Sequence, residues 1–326
     1  MGIDVFAYRV YRLRRLIAVA VAPPVLVVAA IAALKGPAAL VLLALAVGAP
    51  LAHALRYPNA WIETLTVSLT VTALLALAGT IGPDLGLWAL ALRLAGLLAL
   101  GVALFLAIGA VLPMLLLGGP ERPVQARARR RSRLAPAALK AAITLYPGRD
   151  DPRVRCSAAD ADGAFAVCIR HEMPALDPGA PDTAEIRLFA QVLRSTPECH
   201  EVMSVEDDGL AEPEAFDPGA EVGDVLGGAG LSGQTEAEPA ITITRHSFAP
   251  RRRGTRVEVS ERGAVMPRGL ALGFWLQDYM ADHLTDEIDR AEGRRPRANR
   301  AAPHEQLIVD LARPLIQRRP ARHPAE

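Results

Sequence analysis

The sequence predicts a protein of two parts: a membrane α-helical half with four transmembrane helices, and an α+β domain whose antiparallel sheet packs on one long C-terminal helix. Three observations predict this fold class. The long apolar runs almost all lie before Leu117. After it, apolar residues alternate as they do in strands, and an amphipathic helical pattern closes the domain at 269–292. The net charge of +1 over 326 residues excludes a chain-wide basic surface for nucleic acid.

Four apolar segments are predicted to span the membrane. They cover residues 16–34, 38–55, 65–81 and 94–117, and each meets the length that a helix needs to cross about 30 Å of hydrocarbon. Turn-forming residues between the segments leave room only for hairpins and one slightly longer connection. A cleaved signal peptide is the competing interpretation of the first segment, but the three further spans favour an uncleaved anchor.

Arginine positions predict the orientation, because positive residues near span ends are retained in the cytoplasm. One side carries most of the arginines before and after the spans, whereas the other carries Lys35 with Arg93 nearby. We therefore expect an integral protein of a bacterial inner membrane, with both termini and the C-terminal domain in the cytoplasm.

The arginine-rich segment 121–136 follows the membrane half 1–120 and is predicted to be a juxtamembrane linker. An arginine close to an anionic leaflet gains about 1 kcal/mol. We expect the linker to contact lipid headgroups through Arg127, Arg129, Arg130, Arg131 and Arg133. A cytosolic domain at 137–293 and a basic, Pro-rich tail at 294–326 complete the chain.

Alternating apolar residues predict the strands of the cytosolic domain. The candidates are 164–170, 185–194, 199–205, 240–248 and 255–260, with weaker ones at 138–146 and 153–157. Segment 206–238 contains ten acidic and no basic residues, which predicts a flexible insertion. Helix 269–292 has an apolar stripe at intervals of three and four residues, so we expect this one helix to cover the sheet.

Metal-binding patterns are weak. The three cysteines have neither CxxC spacing nor an even count, which argues against a zinc cluster or a disulfide framework. Asp278, Asp282 and Asp286 share one face of the predicted helix, where they would suit a divalent cation, but a solvated polar face explains them equally well. We predict no metal and no cofactor.

No catalytic motif identifies the chain as an enzyme. His171, His200 and His246 lie on or near predicted strands, where an imidazole can act as a general base. None has a nucleophile or an orienting acid at a recognisable spacing. The sequence contains no P-loop, GxSxG elbow, HExxH helix or dinucleotide fingerprint.

The C-terminal half resembles the START-like helix-grip superfamily of SRPBCC, polyketide cyclase-like and lipid-transfer domains. The resemblance lies in the order of the hairpin strands, the Gly-Thr-Arg-Val turn at 254–257 and the terminal helix that begins Leu-Gly-Phe-Trp-Leu at 272–276. It implies a curved sheet that grips the helix around a hydrophobic ligand. The family's usual pair of short helices after the first strand has no counterpart in the turn at 146–152.

The resemblance and the apolar stripe together suggest the residues of a ligand pocket. They are Leu272, Trp275, Tyr279, Phe165 and Phe189. The leading hypothesis is a cytosolic domain that binds a lipid or another hydrophobic small molecule near the bilayer. A polyketide cyclase- or dehydratase-like enzyme is the second hypothesis, and a membrane-anchored partner-binding module without a ligand is the third. Fold resemblance cannot choose among them.

Overall fold

A computed structural model describes residues 3–31, 37–78, 87–117, 119–172, 183–206 and 241–297. The described residues form two compact units. The helical unit draws on Met1–Pro120 and Pro267–Tyr279, and the sheet unit on Glu121–Met266 and Met280–Arg297. The predicted acidic insertion and basic tail lie outside the described residues except at their edges.

The helical unit contains five helices from the first part of the chain. They are α1 Ile3–Arg12, α2 Arg14–Ala30, α3 Pro37–Arg56, α4 Trp61–Ala78 and α5 Leu87–Leu117. Helices α2, α3 and α4 pack on one another, and α5 packs on α4. The Ser68 hydroxyl of α4 donates a hydrogen bond to the Ala20 carbonyl of α2 at 2.5 Å. Such a hydroxyl joins two apolar helices.

Length and composition support fewer spans than the sequence predicts. Two described helices are long and apolar enough to cross a membrane, at Ala39–Arg56 and Ala95–Leu117. Helices α1 and α2 would add a third span if they counted as one, although they meet at a bend of 68°. The remaining predicted span is a shorter apolar helix, at Trp61–Leu77.

The predicted long helix at 269–292 is in fact two helices. Helix α7 covers Arg268–Leu276, and helix α8 covers Tyr279–Ala291. Asp278 separates them with a φ of 51°, a left-handed conformation that interrupts a right-handed helix. Helix α7 belongs to the helical unit, whereas α8 from Met280 onward belongs to the sheet unit. Of the two helices, α8 is therefore the one that packs on the sheet.

The sheet unit contains a seven-stranded sheet. Its strands are β1 Glu121–Ser132, β2 Val154–Cys156, β3 Ala164–Glu172, β4 Thr183–Thr196, β5 Cys199–Glu206, β6 Ile241–Arg251 and β7 Gly254–Pro267. The strand order is β1-β7-β6-β5-β4-β3-β2, and every neighbouring pair from β2 to β7 is antiparallel. Five predicted strands thus correspond to β3 through β7. Strand β1, the first in the chain, lies at one end of the strand order, beside β7, the last in the chain.

Strand β1 corrects the predicted arginine-rich linker. Along this strand buried positions such as Ala128 and Ser132 alternate with exposed ones. Arg127, Arg129 and Arg131 occupy the exposed set. An edge strand with charged residues on its solvent side is a common protein solution to the problem of an open sheet edge. The linker is therefore part of the fold.

A helix also replaces the weak strand predicted at 138–146. Helix α6 covers Pro136–Ile143, and Pro136 suits the first turn because that position needs no N–H donor. Leu139 and Ile143 are four residues apart and both buried, as expected for one helical face. One helix thus stands between β1 and β2, where the resembled family has a pair.

The inner face of the sheet, defined here as the face that packs on α6 and α8, carries two apolar clusters. The first joins β1, β6 and β7 to α6 and α8 through Ala128, Leu139, Ile143, Phe248, Val257, Val259, Ala281, Leu284 and Ile288. The second joins β2 to β5 through Val154, Cys156, Phe165, Val167, Ala190 and Val202. Full burial of one large apolar side chain stabilises a fold by about 1.5 to 3 kcal/mol, so these clusters hold the sheet unit together.

Candidate functional site

The structure places the five residues predicted for an apolar pocket in two units and, within the sheet unit, on two faces of the sheet. Leu272, Trp275 and Tyr279 belong to the helical unit, and between 41% and 53% of each is exposed. Phe165 is fully buried in the second cluster of the sheet unit. Phe189 lies on the opposite face, because its neighbour Ala190 pairs with Phe165 and successive strand residues point to opposite faces.

Two open depressions on the described residues are lined mainly by charged side chains. One of about 410 Å³ is lined by Asp150, Asp151, Pro152, Arg155 and Arg170. The other, of about 260 Å³, is lined by Arg129, Arg130, Arg131 and Arg256. Apolar ligands are held by apolar walls with a few polar groups, so neither depression fits a hydrophobic molecule.

A cluster of polar side chains occupies the inner face of β5, β6 and β7. His200 pairs directly with His246, and Thr244 pairs with Glu261. Directly paired residues lie on one face of an antiparallel sheet, and residues two positions along are close diagonal neighbours. His246 and Glu261 are therefore diagonal neighbours. The buried side chains of Val259 and Phe248 lie on the same face.

Hydrogen bonds orient His200. Its Nε2 lies 2.7 Å from the Leu145 carbonyl oxygen, and because that oxygen can only accept, Nε2 carries the proton. The unprotonated Nδ1 lies 3.3 Å from the Ser195 hydroxyl, which also accepts a hydrogen bond of 2.7 Å from the Lys140 ammonium. These bonds connect α6, and Leu145 two residues beyond it, to the hairpin between β4 and β5. Burial, and not these bonds, favours the neutral imidazole.

The titration of the cluster is shifted by burial. Burial, with a smaller effect from His200, lowers the pKa of His246 to about 4, and burial also lowers the pKa of His200. Burial raises the pKa of Glu261. The His246 Nδ1 has no hydrogen-bond partner among the described residues. The neutral imidazole of His246 can accept a proton, and the carboxyl of Glu261, which retains its proton more readily, can donate one.

The shifted histidines predict a pH dependence of stability. The unfolded chain binds a proton at each histidine near pH 6.5, whereas folded His246 resists protonation until about pH 4. The contribution of the neutral His246 to the free energy of unfolding is therefore complete above about pH 6.5 and declines as the pH falls from there to about 4. His200 acts in the same direction. We expect His246→Leu to reduce this decline, measured as the urea midpoint of the full chain in detergent micelles at several pH values. Parallel profiles for both proteins would contradict this burial of His246.

The acidic residues near the C-terminus form ion pairs. Asp286 is paired with Arg153 at 3.7 Å and Arg290 at 3.2 Å, and Asp289 is paired with Arg294 at 3.0 Å and Arg297 at 2.9 Å. The break at Asp278 also separates that residue from the helical face of α8. Within the described residues no group of three or more potential ligands could hold a metal ion, and all three cysteines are free and buried.

The arginines of β1 point to two faces. Arg127 and Arg129 form ion pairs with Glu258 of β7, and hydrogen bonds from Arg129 and then Arg127 lower the pKa of that carboxyl. Arg130 points to the inner face and donates to the Thr285 hydroxyl of α8 at 2.9 Å. Arg131, and Arg133 just beyond the strand, are exposed. The predicted headgroup contacts thus compete with contacts inside the sheet unit for three of the five side chains, namely Arg127, Arg129 and Arg130.

The helical unit also contains a buried polar group that the sequence did not predict. The ring of His53 in α3 is bonded through Nδ1 to the Thr64 hydroxyl at 2.9 Å and through Nε2 to the Glu63 carboxylate at 3.1 Å. His53 is 7% exposed. The three side chains join the end of α3 to the start of α4. The sequence feature that could have predicted this contact is a histidine and a glutamate at the edges of apolar segments.

Comparisons with known proteins give weak similarity only. No protein-family profile and no curated protein matches the chain. Solved structures similar to its C-terminal half include the di-domain ARO/CYC StfQ from the steffimycin biosynthetic pathway, with 12% identity over 65% of this chain and 61% of that chain and a TM-score of 0.31. Ara h 8.0201 has 10% identity over 53% and 97%, with a TM-score of 0.31.

A protein of unknown function from Staphylococcus aureus, SA2116, has 11% identity over 53% of this chain and 91% of that chain, with a TM-score of 0.28. The structural neighbours thus include polyketide cyclase-like proteins. Identities and TM-scores at this level do not assign a function, and the fold of the C-terminal half is defined here by its own strand order.

Proposed function

We propose that the protein is an integral membrane protein whose cytosolic sheet unit binds a lipid or another hydrophobic small molecule near the bilayer. The observation that carries the proposal is the union, in one chain, of apolar helices with a seven-stranded sheet of order β1-β7-β6-β5-β4-β3-β2 covered by a C-terminal helix. Strand β1 begins at Glu121, four residues after α5 ends at Leu117. The connection between the two units at this point of the chain is therefore short.

Exposed apolar side chains support the membrane assignment. Leu98 and Met114 of α5 are 71% and 74% exposed. The same helix has no charged residue from Ala95 to Leu117. Contiguous exposed apolar surface of this kind is rare on water-soluble monomers and typical of surface that faces lipid. We propose four spans, formed by α2 to α5, with both termini cytoplasmic by the distribution of arginine.

The inner face of the sheet is the proposed ligand site. Apolar residues surround a few polar groups there, which is the composition of pockets that bind hydrophobic molecules. Ser204 and Thr244 contribute small side chains that are only partly buried. The test is whether an apolar molecule accompanies the full chain through purification. We expect about one molecule per chain, and we expect Ser204→Phe to reduce that amount because its ring projects from the inner face.

The pair His246 and Glu261 favours an enzyme as the second candidate function. A neutral imidazole and a carboxyl of raised pKa on one face are suited to proton transfer on a bound hydrophobic substrate, as in a cyclase- or dehydratase-like reaction. Loss of turnover in both His246→Gln and Glu261→Gln, with unchanged ligand binding, would support this candidate. A filled inner face without a ligand would instead favour a partner-binding module.

A further inference from the structure

Helix α7 has one face against the helical unit and one face away from it. Gly269, Gly273 and Leu276 are buried, with Leu276 only 1% exposed. Leu272 and Trp275 are exposed, and so is Tyr279 just beyond the helix end. Because these three side chains are large and apolar or amphipathic, the outer face of α7 is the kind of surface that requires a partner.

The buried face of α7 packs on helix ends. A Cβ atom at Gly269 would overlap the carbonyl of Leu116, near the end of α5, and one at Gly273 would overlap the indole of Trp61, at the start of α4. Leu276 joins a buried cluster with Leu13 and Leu16, at the start of α2. All of these positions are helix termini, so α7 lies at one end of the helical unit.

Polar bonds fix the segment after α7 at the same end. Arg12 is 1% exposed, and it donates from Nε to the Gln277 carbonyl at 3.1 Å and from Nη2 to the Asn59 side chain at 3.0 Å. The Gln277 amide donates to the Pro58 carbonyl at 3.2 Å. Pro58 and Asn59 form the connection between α3 and α4. The end that holds α7 is therefore a polar end of the apolar helices.

Arginines flank the exposed aromatic side chains. The Arg15 guanidinium lies 4.7 Å from the centre of the Trp275 ring and donates to the Trp275 carbonyl at 3.0 Å. Helix α1 at the same end exposes Phe6 and Tyr11. Aromatic rings together with arginine are enriched where membrane proteins meet the lipid headgroups.

We propose that α7 is an interfacial helix whose Leu272, Trp275 and Tyr279 side chains enter the headgroup region of the bilayer that the helical unit spans. The proposal rests on the membrane placement proposed above and goes beyond it, since it returns the chain to the bilayer after seven strands. A lipid surface is the partner that fits, because the exposed aromatic side chains of α1 and α7 lie at the end of the helical unit from which the apolar spans continue. The described part of the chain passes from one unit to the other three times, at residues 120–121, 266–267 and 279–280.

The test uses tryptophan fluorescence of the full chain in liposomes. The chain has three tryptophans, and subtracting the emission of Trp275→Phe isolates Trp275. We expect lipids brominated near the headgroup to quench Trp275 about twofold more than lipids brominated near the acyl-chain end, as for a side chain 5 to 10 Å deep. Tyr146→Phe, at an exposed residue of the sheet unit, is the matched control and should leave both quenching values unchanged.

Two outcomes would overturn the proposal. Quenching of Trp275 by aqueous iodide and by neither lipid would place α7 in water, and protection from all three quenchers would indicate a protein partner or a second copy. Extraction with alkaline carbonate separates these outcomes from failure of the membrane assignment. A chain that stays in the carbonate-washed membrane with an unquenched Trp275 contradicts only the interfacial helix, whereas a chain released by carbonate contradicts the membrane assignment itself.

Discussion

We expect a Gly269→Ala replacement to separate α7 from the helical unit and to lower the thermal midpoint of that unit. The added Cβ would overlap the backbone carbonyl of Leu116, and a backbone atom cannot escape by a change of rotamer. Overpacking of this kind costs about 1 to 3 kcal/mol. Gly273→Ala should act in the same direction, because its Cβ would overlap Trp61, which is buried. The measurement is thermal unfolding of the full chain in micelles, followed by tryptophan emission.

Gly96→Ala is the matched control for this prediction. Gly96 lies in α5, and a Cβ built there has no atom within 4 Å. Alanine is preferred over glycine in a helix by about 1 kcal/mol, so this variant should melt at the same temperature as the wild type or higher. Equal midpoints for Gly269→Ala and Gly96→Ala would show that α7 does not pack on the end of α5.

We expect Phe165→Ala to cost the sheet unit about 3 to 5 kcal/mol, the range for removing a buried phenylalanine ring. Phe165 is fully buried in the cluster of β2 to β5, and its removal leaves a cavity among close-packed neighbours. Hydrogen–deuterium exchange of the full chain should show faster exchange in β3 and β4. Trp275→Ala should leave exchange in these strands unchanged, because Trp275 belongs to the helical unit.

The same pair of variants distinguishes a core residue from a pocket residue. If Phe165→Ala leaves the exchange of β3 and β4 unchanged but removes a bound molecule, then Phe165 lines a cavity and is not part of a close-packed cluster. If it accelerates exchange, the sequence-based assignment of Phe165 to a pocket must be replaced by a structural role.

The alternating pattern predicted most of the sheet because burial on one face leaves a period of two in the sequence. The predicted strand 199–205, for example, corresponds to β5 Cys199–Glu206. Strand β1 was missed because arginine dominates it, yet Ala126 and Ala128 alternate with Arg127 and Arg129. That alternation is the signal that would have identified an edge strand.

The break between α7 and α8 was not predictable from periodicity. The apolar spacing continues from Leu276 through Met280 to Leu284, so one helix satisfies the pattern. What ends the helix is the left-handed backbone of Asp278, whose side chain forms ion pairs with Arg14 and Arg15 of the distant α2. Contacts between residues far apart in sequence leave no local trace.

The candidate site was only partly predictable. His200 and His246 could be singled out as histidines on strands, but their pairing depends on the register of β5 and β6. Glu261 carries no sequence signal, because its raised pKa comes from burial. Some of the predicted pocket residues came from an apolar stripe that is divided between two separate helices. The others are phenylalanines, and the strand register decides on which face of the sheet each of them lies.

The most direct test of the proposed function is native mass spectrometry of the full chain released from nanodiscs made with the lipids of its host membrane. We predict about one apolar adduct per chain that survives activation, is reduced in Ser204→Phe and is retained in Ser260→Phe. Ser204 pairs with Ala190 and lies on the inner face, whereas Ser260 pairs with Arg245 and lies on the outer face. A folded chain without an adduct, or equal adducts in both variants, would contradict a ligand site on the inner face.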